Sequence, residues 1–444
     1  MKQFKGNIFF EEDNFENGIA ATLSIDGDKY EIEFIENNYR HSNYKIIQGE
    51  FNDLGYVTFI DCIHSGRTSS TVNVNRYISY HLITEIKFNK SENIVASSLH
   101  VTMSLLKELI KKSNLKGDLI YEKKLEYITP EKVKLYENED FLILINFYIS
   151  ESRNIYDGIK IKEYCVLEIK SKKDSKNIFE LFNVYKKIKI FFSFIGFFSK
   201  YEDEFKFRED NIIYTNQDGP IDMRFFTTNF NTHNNGLIAH ERFDFNDIKN
   251  EINQILNNWF TNDSIQDSII LVMEKYTFIK LTVETYFLNT CFAIETFHRK
   301  NKFNEVYKKT EFNRIKRGIR NKLETEEEIE LFNDKLIYAN EPTFKNRLIS
   351  LKSEFKRVIH ESVDIDDYVD KIVSTRNFLV HRGNKKYIFE GLELYYAAVY
   401  LETLTKFCIM ETIGIDNEVL SKVFNNTSNR IKQFYEFNVN NKFM

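Results

Sequence analysis

Apolar and polar residues alternate along Lys29–Ile35, where Tyr30, Ile32 and Phe34 are separated by Glu31 and Glu33. A two-residue period of this kind predicts a strand with one buried face. Asp26-Gly27, just before it, is a hairpin signal. Tyr56–Ile60 and Phe141–Ile149 are dense in β-branched and aromatic residues, which suit a pleated, half-buried surface. Asp157-Gly158 then turns the chain into a further strand ending near Ile169. Helical spacing interrupts this pattern over about Val101–Lys112. It returns in a helix opening near Asp174 or Ser175, either of which can cap it, with Ile178, Phe182, Tyr185 and Ile188 on one face. The first half therefore reads as a mostly antiparallel β domain with helical additions.

The period changes near residue 245. Phe245–Trp259 is spaced as a helix, and Leu281–Arg299, Pro342–His360, Ile365–Arg376 and Glu390–Ile413 follow with apolar stripes at three- and four-residue intervals. Pro342 suits a first helical turn, Asp364 a cap, and Gly414 a stop. The second half is expected to be an all-α bundle, so the fold class is α+β. The boundary falls within Gly236–Phe245, giving domains 1–240 and 241–444.

With 444 residues the chain is long enough for two cores, and 42% hydrophobic with 29% charged residues excludes disordered and fibrous classes. The four cysteines, Cys62, Cys165, Cys291 and Cys408, have no CxxC spacing, so buried thiols of a reducing cytoplasm are expected rather than a zinc knuckle. The first fifteen residues lack the apolar core of a signal peptide, and the longest greasy run, Ile190–Phe198, is too short to span a bilayer. A net charge of −5 argues against wholesale nucleic-acid coating, so any such site must be a local basic patch.

No GxGxxG, Walker A, GxSxG or HExxH signature is present. One segment stands out: Ser374-Thr375-Arg376-Asn377-Phe378-Leu379-Val380-His381-Arg382. Arg376 extends the apolar face of the preceding helix, where an unpaired guanidinium is costly. His381, five residues on, would lie roughly 140° away on a continuing helix. The two side chains share a cleft only if the helix ends or distorts near Asn377, or if the cleft lies between two subunits. The plain structural reading is a buried arginine with a carboxylate partner and a capping histidine. In Leu281–Arg299, Glu295 continues the face of Leu281, Leu288, Cys291 and Phe292, so Glu295 and Arg376 are natural partners. His298 is set about 60° off that face and is expected at the surface.

Arg376-Asn377-Phe378-Leu379-Val380-His381 resembles the R-N-x-x-x-H form of the HEPN Rx4-6H motif. Phe287–Arg299 resembles the ALE-x-x-x-R helix of the ApeA-like HEPN group, with Ile294 where leucine is usual, and Trp259 resembles that group's upstream tryptophan. Ile19–Ile35, the Gly49 strand leading into Val57-Thr58-Phe59, and Leu105–Ile110 are similar, in that order, to the ApeA N-terminal domain. The resemblance covers almost the whole chain.

It implies an antiphage, abortive-infection type defence protein whose HEPN domain is a metal-independent endoribonuclease with no cofactor. His381 would act as general acid or base, Arg376 would hold the phosphate, Asn377 would donate to phosphate or orient the histidine, and Glu295 would position Arg376. The site would be composite in a homodimer or higher homo-oligomer, the substrate RNA (tRNA, another host RNA or phage RNA), and the N-terminal domain a restraint or a sensor of a phage-derived trigger. Arg382, Lys385 and Lys386 adjoin the motif and suit RNA phosphates. Arg317 and Arg320, within the cluster Arg314–Lys322, suit RNA equally, or form a solvated face balanced by Glu324 and Glu326–Glu328. Two other readings remain open. The HEPN bundle can be a non-catalytic dimerisation or RNA-binding module beside a ligand-sensing β domain. Alternatively, Glu168-Ile169-Lys170 with Asp157 can belong to a metal-dependent nuclease core.

Overall fold

The structure is a computed structural model. It describes residues 1–11, 16–36, 43–69, 71–86, 88, 94–110, 115–116, 126–128, 130–154, 158–197, 203–210, 220–227, 242–277, 281–359, 364–382 and 386–440. The chain divides into two compact units, Met1–Ser193 with Phe197–Gly236, and Phe194–Gly196 with Leu237–Met444. The boundary expected at 240/241 lies outside the described residues.

The first unit opens with β1 (Lys2–Phe10), β2 (Ile19–Asp26), β3 (Lys29–Ile35), β4 (Tyr44–Phe51), β5 (Gly55–Ser69) and β6 (Asn73–Thr84). It continues through β7 (Val95–Ala96), β8 (Ser98–Thr102), α1 (Ser104–Ile110), β9 (Leu115–Lys116) and β10 (Glu126–Tyr127). β11 (Val133–Glu137), β12 (Phe141–Asn154), β13 (Gly158–Ser171), β14 (Lys176–Asn177), α2 (Ile178–Phe194), β15 (Glu204–Glu209) and β16 (Ile221–Thr227) complete it. Twelve strands form one sheet in the order β11-β12-β13-β8-β15-β16-β6-β3-β2-β1-β4-β5, and a further β5–β6 pairing closes its second half into a barrel. β6 makes this possible: one edge pairs β3 over Val74–Ser79 and then β16 over His81–Thr84, while its other edge holds β5. Inward residues of alternating strands fill the barrel, including Ile32 and Phe34 of β3, with Phe34 stacked on Tyr77 at 5.9 Å.

The α+β class expected of the chain is the one found. Val101 and Thr102 lie in β8, where β-branched residues favour the strand, and of the described residues Ser104–Ile110 is helical; Lys111 and Lys112 lie outside the described residues. α2 is capped by Asn177, whose side chain accepts from Phe179 N at 2.9 Å, not by Asp174 or Ser175. The greasy run includes the end of α2, where Phe191 and Phe192 are fully buried, and no described helix is long and apolar enough to cross a membrane.

The second unit holds α3 (Phe245–Ile248), α4 (Ile252–Thr261), α5 (Asp263–Thr277), α6 (Val283–Asn301), α7 (Lys309–Arg320), α8 (Glu326–Lys335) and α9 (Phe344–Ser350). α10 (Lys352–Val358), α11 (Ile365–His381), α12 (Gly391–Thr412) and α13 (Asn417–Asn440) follow. The helix expected over Phe245–Trp259 is broken at Lys249-Asn250-Glu251, a turn between α3 and α4. The one expected over Pro342–His360 begins after Pro342, because the Thr343 side chain caps α9, and it is interrupted at Leu351. Asp364 and Gly414 act as expected: the first accepts from Asp366 N and Asp367 N, and the second sits at φ 92°.

α12 is the bundle's central helix, and its interior carries charge. Glu402 is 3% exposed and Lys406 1% exposed. Lys406 Nζ lies 2.8 Å and Lys275 Nζ 3.3 Å from the carboxylate, and Tyr276 and Tyr286 hydroxyls donate to it. Burial alone would raise the Glu402 pKa, but the two ammonium groups outweigh it and hold it well below the carboxylate range. Replacing Glu402 by Gln leaves two buried ammonium groups without a counter-charge. A loss of about 3–5 kcal/mol in urea-unfolding stability is expected.

Candidate active site

α11 owes its placement to a buried stripe of Ile365, Val369, Ile372 and Thr375. The Thr375 hydroxyl bonds the Lys371 carbonyl at 2.7 Å and accepts from Phe389 N at 2.9 Å, which ties the returning chain to the helix. Arg376 follows at the edge of that stripe, with its side chain 24% exposed. Its guanidinium lies over the rings of Phe344 at 5.5 Å and Phe292 at 6.0 Å, a cation–π setting supplied by α9 and α6. Arg376 Nη2 lies 3.6 Å from Glu295 Oε2, so the two residues are brought together.

Glu295 is also shared. Arg299, one turn further along α6, lies 3.8 Å from its other oxygen and 3.4 Å from Glu341 Oε2. Arg347 of α9, 1% exposed, donates to the same Glu341 oxygen at 3.1 Å. Glu295, Arg299, Glu341, Arg347 and Arg376 line one cleft of about 370 Å³. Arg299 is the arginine that closes the ALE-x-x-x-R resemblance, whereas Glu341 and Arg347 belong to no motif in the sequence. The available signal was Arg347 at three- and four-residue spacing within the stripe of Phe344, Arg347 and Leu348.

His298 corrects an expectation. It is 3% exposed rather than at the surface, because the buried stripe of α6 runs through Phe287, Cys291, Ile294 and His298. Arg347 Nη1 is 3.2 Å from its Nδ1, and its Nε2 is 2.7 Å from Ser350 Oγ. Arginine has only donors, so Nδ1 accepts, Nε2 carries the hydrogen, and the imidazole is neutral. Ser350 in turn donates to the Arg347 carbonyl at 2.7 Å, closing a ring of bonds.

His381 is the last residue of α11, and the helix runs unbroken through Asn377. His381 is exposed and does not line the Arg376 cleft; within one subunit it points roughly 140° away. Asn377 is exposed, with Oδ1 3.5 Å from Arg376 Nη1. Arg382 caps the helix in the left-handed region at φ 53° and is exposed, as is Lys386; Lys385 lies outside the described residues. Arg317 and Arg320 are exposed on α7, a helix with no buried residue. Glu168 accepts from Asn146 at 2.6 Å, Lys170 is exposed, and Asp157 lies outside the described residues. Among the described residues no three His, Cys, Asp or Glu side chains converge as a metal site. The four cysteines are buried and free.

The family model for the Apea-like HEPN domain matches residues 288–419, and that for ApeA N-terminal domain 1 matches residues 3–259, more than half of the chain. The chain belongs to the ApeA family. It is thus an antiphage defence protein carrying a HEPN domain. The N-terminal match runs on through α3 and α4 to Trp259, past the division between the compact units, so it takes in helices that pack with the second unit. No curated protein matches. The solved structure of MrkH, titled a c-di-GMP-dependent transcription regulatory factor, is 11% identical over 42% of this chain and 83% of its own. Its TM-score is 0.13, a likeness too slight to carry an argument.

The neutral His298 makes the fold acid-sensitive. Burial and the Arg347 charge lower its pKa from 6.5 to about 4. A group whose folded pKa is lowered binds its proton more readily when unfolded. Its contribution is therefore complete above about pH 6.5 and is lost as pH falls towards 4. Urea-unfolding stability measured between pH 7 and pH 4 is expected to decline across that window, with a shallower decline in His298→Gln.

Proposed function

We propose that this ApeA-family chain is a metal-independent HEPN endoribonuclease with a composite site across a homodimer. The observation that carries this reading is the unbroken course of α11. It sets Arg376 in a cleft and His381 on another side of the same helix, so one subunit does not bring both to one phosphate. A two-fold partner presenting its own α11 would supply the missing half. RNA brings its own nucleophile, the 2′-hydroxyl. His381 takes that proton or protonates the leaving 5′-oxygen, since imidazole moves protons near neutral pH. Arg376 stabilises the charge growing on the phosphate. Asn377 donates to the phosphate or orients the histidine, and Glu295 positions Arg376. The new bond joins the 2′-oxygen to phosphorus while the bond to the 5′-oxygen breaks, giving a 2′,3′-cyclic phosphate and a 5′-hydroxyl. Arg382, Lys385, Lys386, Arg317 and Arg320 hold flanking RNA phosphates.

In this reading residues 241–444 are the nuclease and residues 1–240 restrain it, or sense a phage-derived trigger, in the cytoplasm of the infected cell. Cleavage of tRNA or other RNA then halts infection. A second reading, a non-catalytic HEPN module beside a ligand-sensing β domain, draws on a cavity of about 1220 Å³ in the first unit. Tyr148 and Tyr164, stacked at 5.6 Å, line it together with Lys162, His100, Arg208 and Arg224.

Arg376→Ala and His381→Ala are each expected to lower RNA cutting in EDTA by at least about 100-fold and to abolish phage protection. Mixing the two inactive variants is expected to restore cutting, because each supplies the group the other lacks. Cutting that survives in both variants, or protection that persists without it, would falsify the nuclease reading.

A further inference from the structure

The charges along the Arg376 cleft alternate: Arg347, Glu341, Arg299, Glu295, Arg376. The row begins and ends on a cation, so three guanidinium groups face two carboxylates, and the histidine behind Arg347 is neutral. Only the Arg347–Glu341 contact, at 3.1 Å, meets hydrogen-bond geometry; the other three span 3.4 to 3.8 Å. Charge-assisted bonds of satisfied pairs are about 2.7–2.9 Å long. Donors are left over as well. The Nε atoms of Arg347 and Arg376 are buried and have no hydrogen-bond partner among the described residues. A buried guanidinium with an unfilled donor, beside a net positive charge and a cleft of about 370 Å³, suits an oxyanion.

We propose that this cleft binds an internal phosphate diester of the RNA next to the one that is cut, with Arg299 and Arg347 as its binding residues. The proposal rests on the nuclease reading for the identity of the ligand. Glu341 competes with the phosphate for both arginines, and Arg299, half exposed, is free to leave it. Arg347 is fixed from behind by His298, so it forms the floor that does not move. Arg376 borders this phosphate and, across the dimer, the reacting one.

The test is binding of a fully 2′-O-methylated oligoribonucleotide, which keeps every phosphate and cannot be cut, followed by fluorescence anisotropy. Arg299→Gln is expected to weaken binding about tenfold and to lower the salt slope by about 0.7. Glu341→Gln keeps an acceptor for Arg347 and removes the competing charge, so it is expected to tighten binding several-fold. An unchanged affinity in Arg299→Gln, or weaker binding in Glu341→Gln, overturns the proposal. If the Arg299→Gln effect vanishes once a 5′-phosphate is removed from the oligonucleotide, the anion is a terminal monoester, and the internal site is overturned. Binding is read without cleavage. A failure here with His381 still essential for cutting sinks this site alone, whereas cutting that survives His381→Ala sinks the nuclease reading.

Discussion

A guanidinium stays charged at any physiological pH, so burying Arg347 obliges the bundle to surround it with acceptors. Two are supplied, the ring nitrogen of His298 and the carboxylate of Glu341. The first choice decides the state of His298, which must be neutral, and thereby the tautomer that reaches Ser350. The second draws Arg299 to the same carboxylate. Arg299 shares Glu295, and Glu295 reaches Arg376. A long, flexible side chain at the edge of a helix is thus held by a sequence of charges that ends on an immobile one. α6, α9 and the segment before α9 set the position of Arg376 as much as α11 does.

What could be read from the sequence was mostly local. Alternation gave β3, and the Asp364 side chain and the freedom of Gly414 marked real helix ends, because each depends on a few neighbouring residues. Barrel closure depends on β6 exchanging β3 for β16 along one edge, a non-local pairing that no short pattern carries. At the site, Glu295 and Arg376 were recognised as an inward pair, and they lie together. A face through Leu288 and Phe292 puts His298 at the surface, whereas the buried stripe of α6 passes through Phe287 and Ile294; one residue of phase turns a helix by about 100°. Arg347 carries little local signal of its burial, because an arginine within an amphipathic helix is ordinarily a surface residue.

The course of α11 limits what one subunit can do. Had the helix ended at Asn377, His381 would have been free to fold back towards the Arg376 cleft. It continues for four more residues with no glycine or proline to break it, and only Arg382 adopts the left-handed conformation that stops it. The loose contacts around Arg376 fit this division. A pair at 3.6 Å holds a guanidinium in place without saturating it, as the proposed role of Arg376 requires.

The bundle contains two clusters of the same chemical kind, and access to solvent separates their roles. Around Glu402, two ammonium groups and two phenols close on one carboxylate with side chains 15% exposed or less, and contacts as short as 2.8 Å satisfy the charge from within. A ligand has no entry there, so the cluster's work is to tie α5, α6 and α12 together. The arginine cleft also carries one excess positive charge, yet its pairs are longer, two of its buried donors lack partners among the described residues, and Arg299 is 51% exposed. In the Glu402 cluster the excess charge is held among closely paired groups, with no open donor facing solvent among the described residues. Excess charge left open at a surface cleft costs stability in the free protein and is offset only when an anion arrives. That difference in saturation, rather than the number of charged residues, is what supports the proposed anion site in the second cluster.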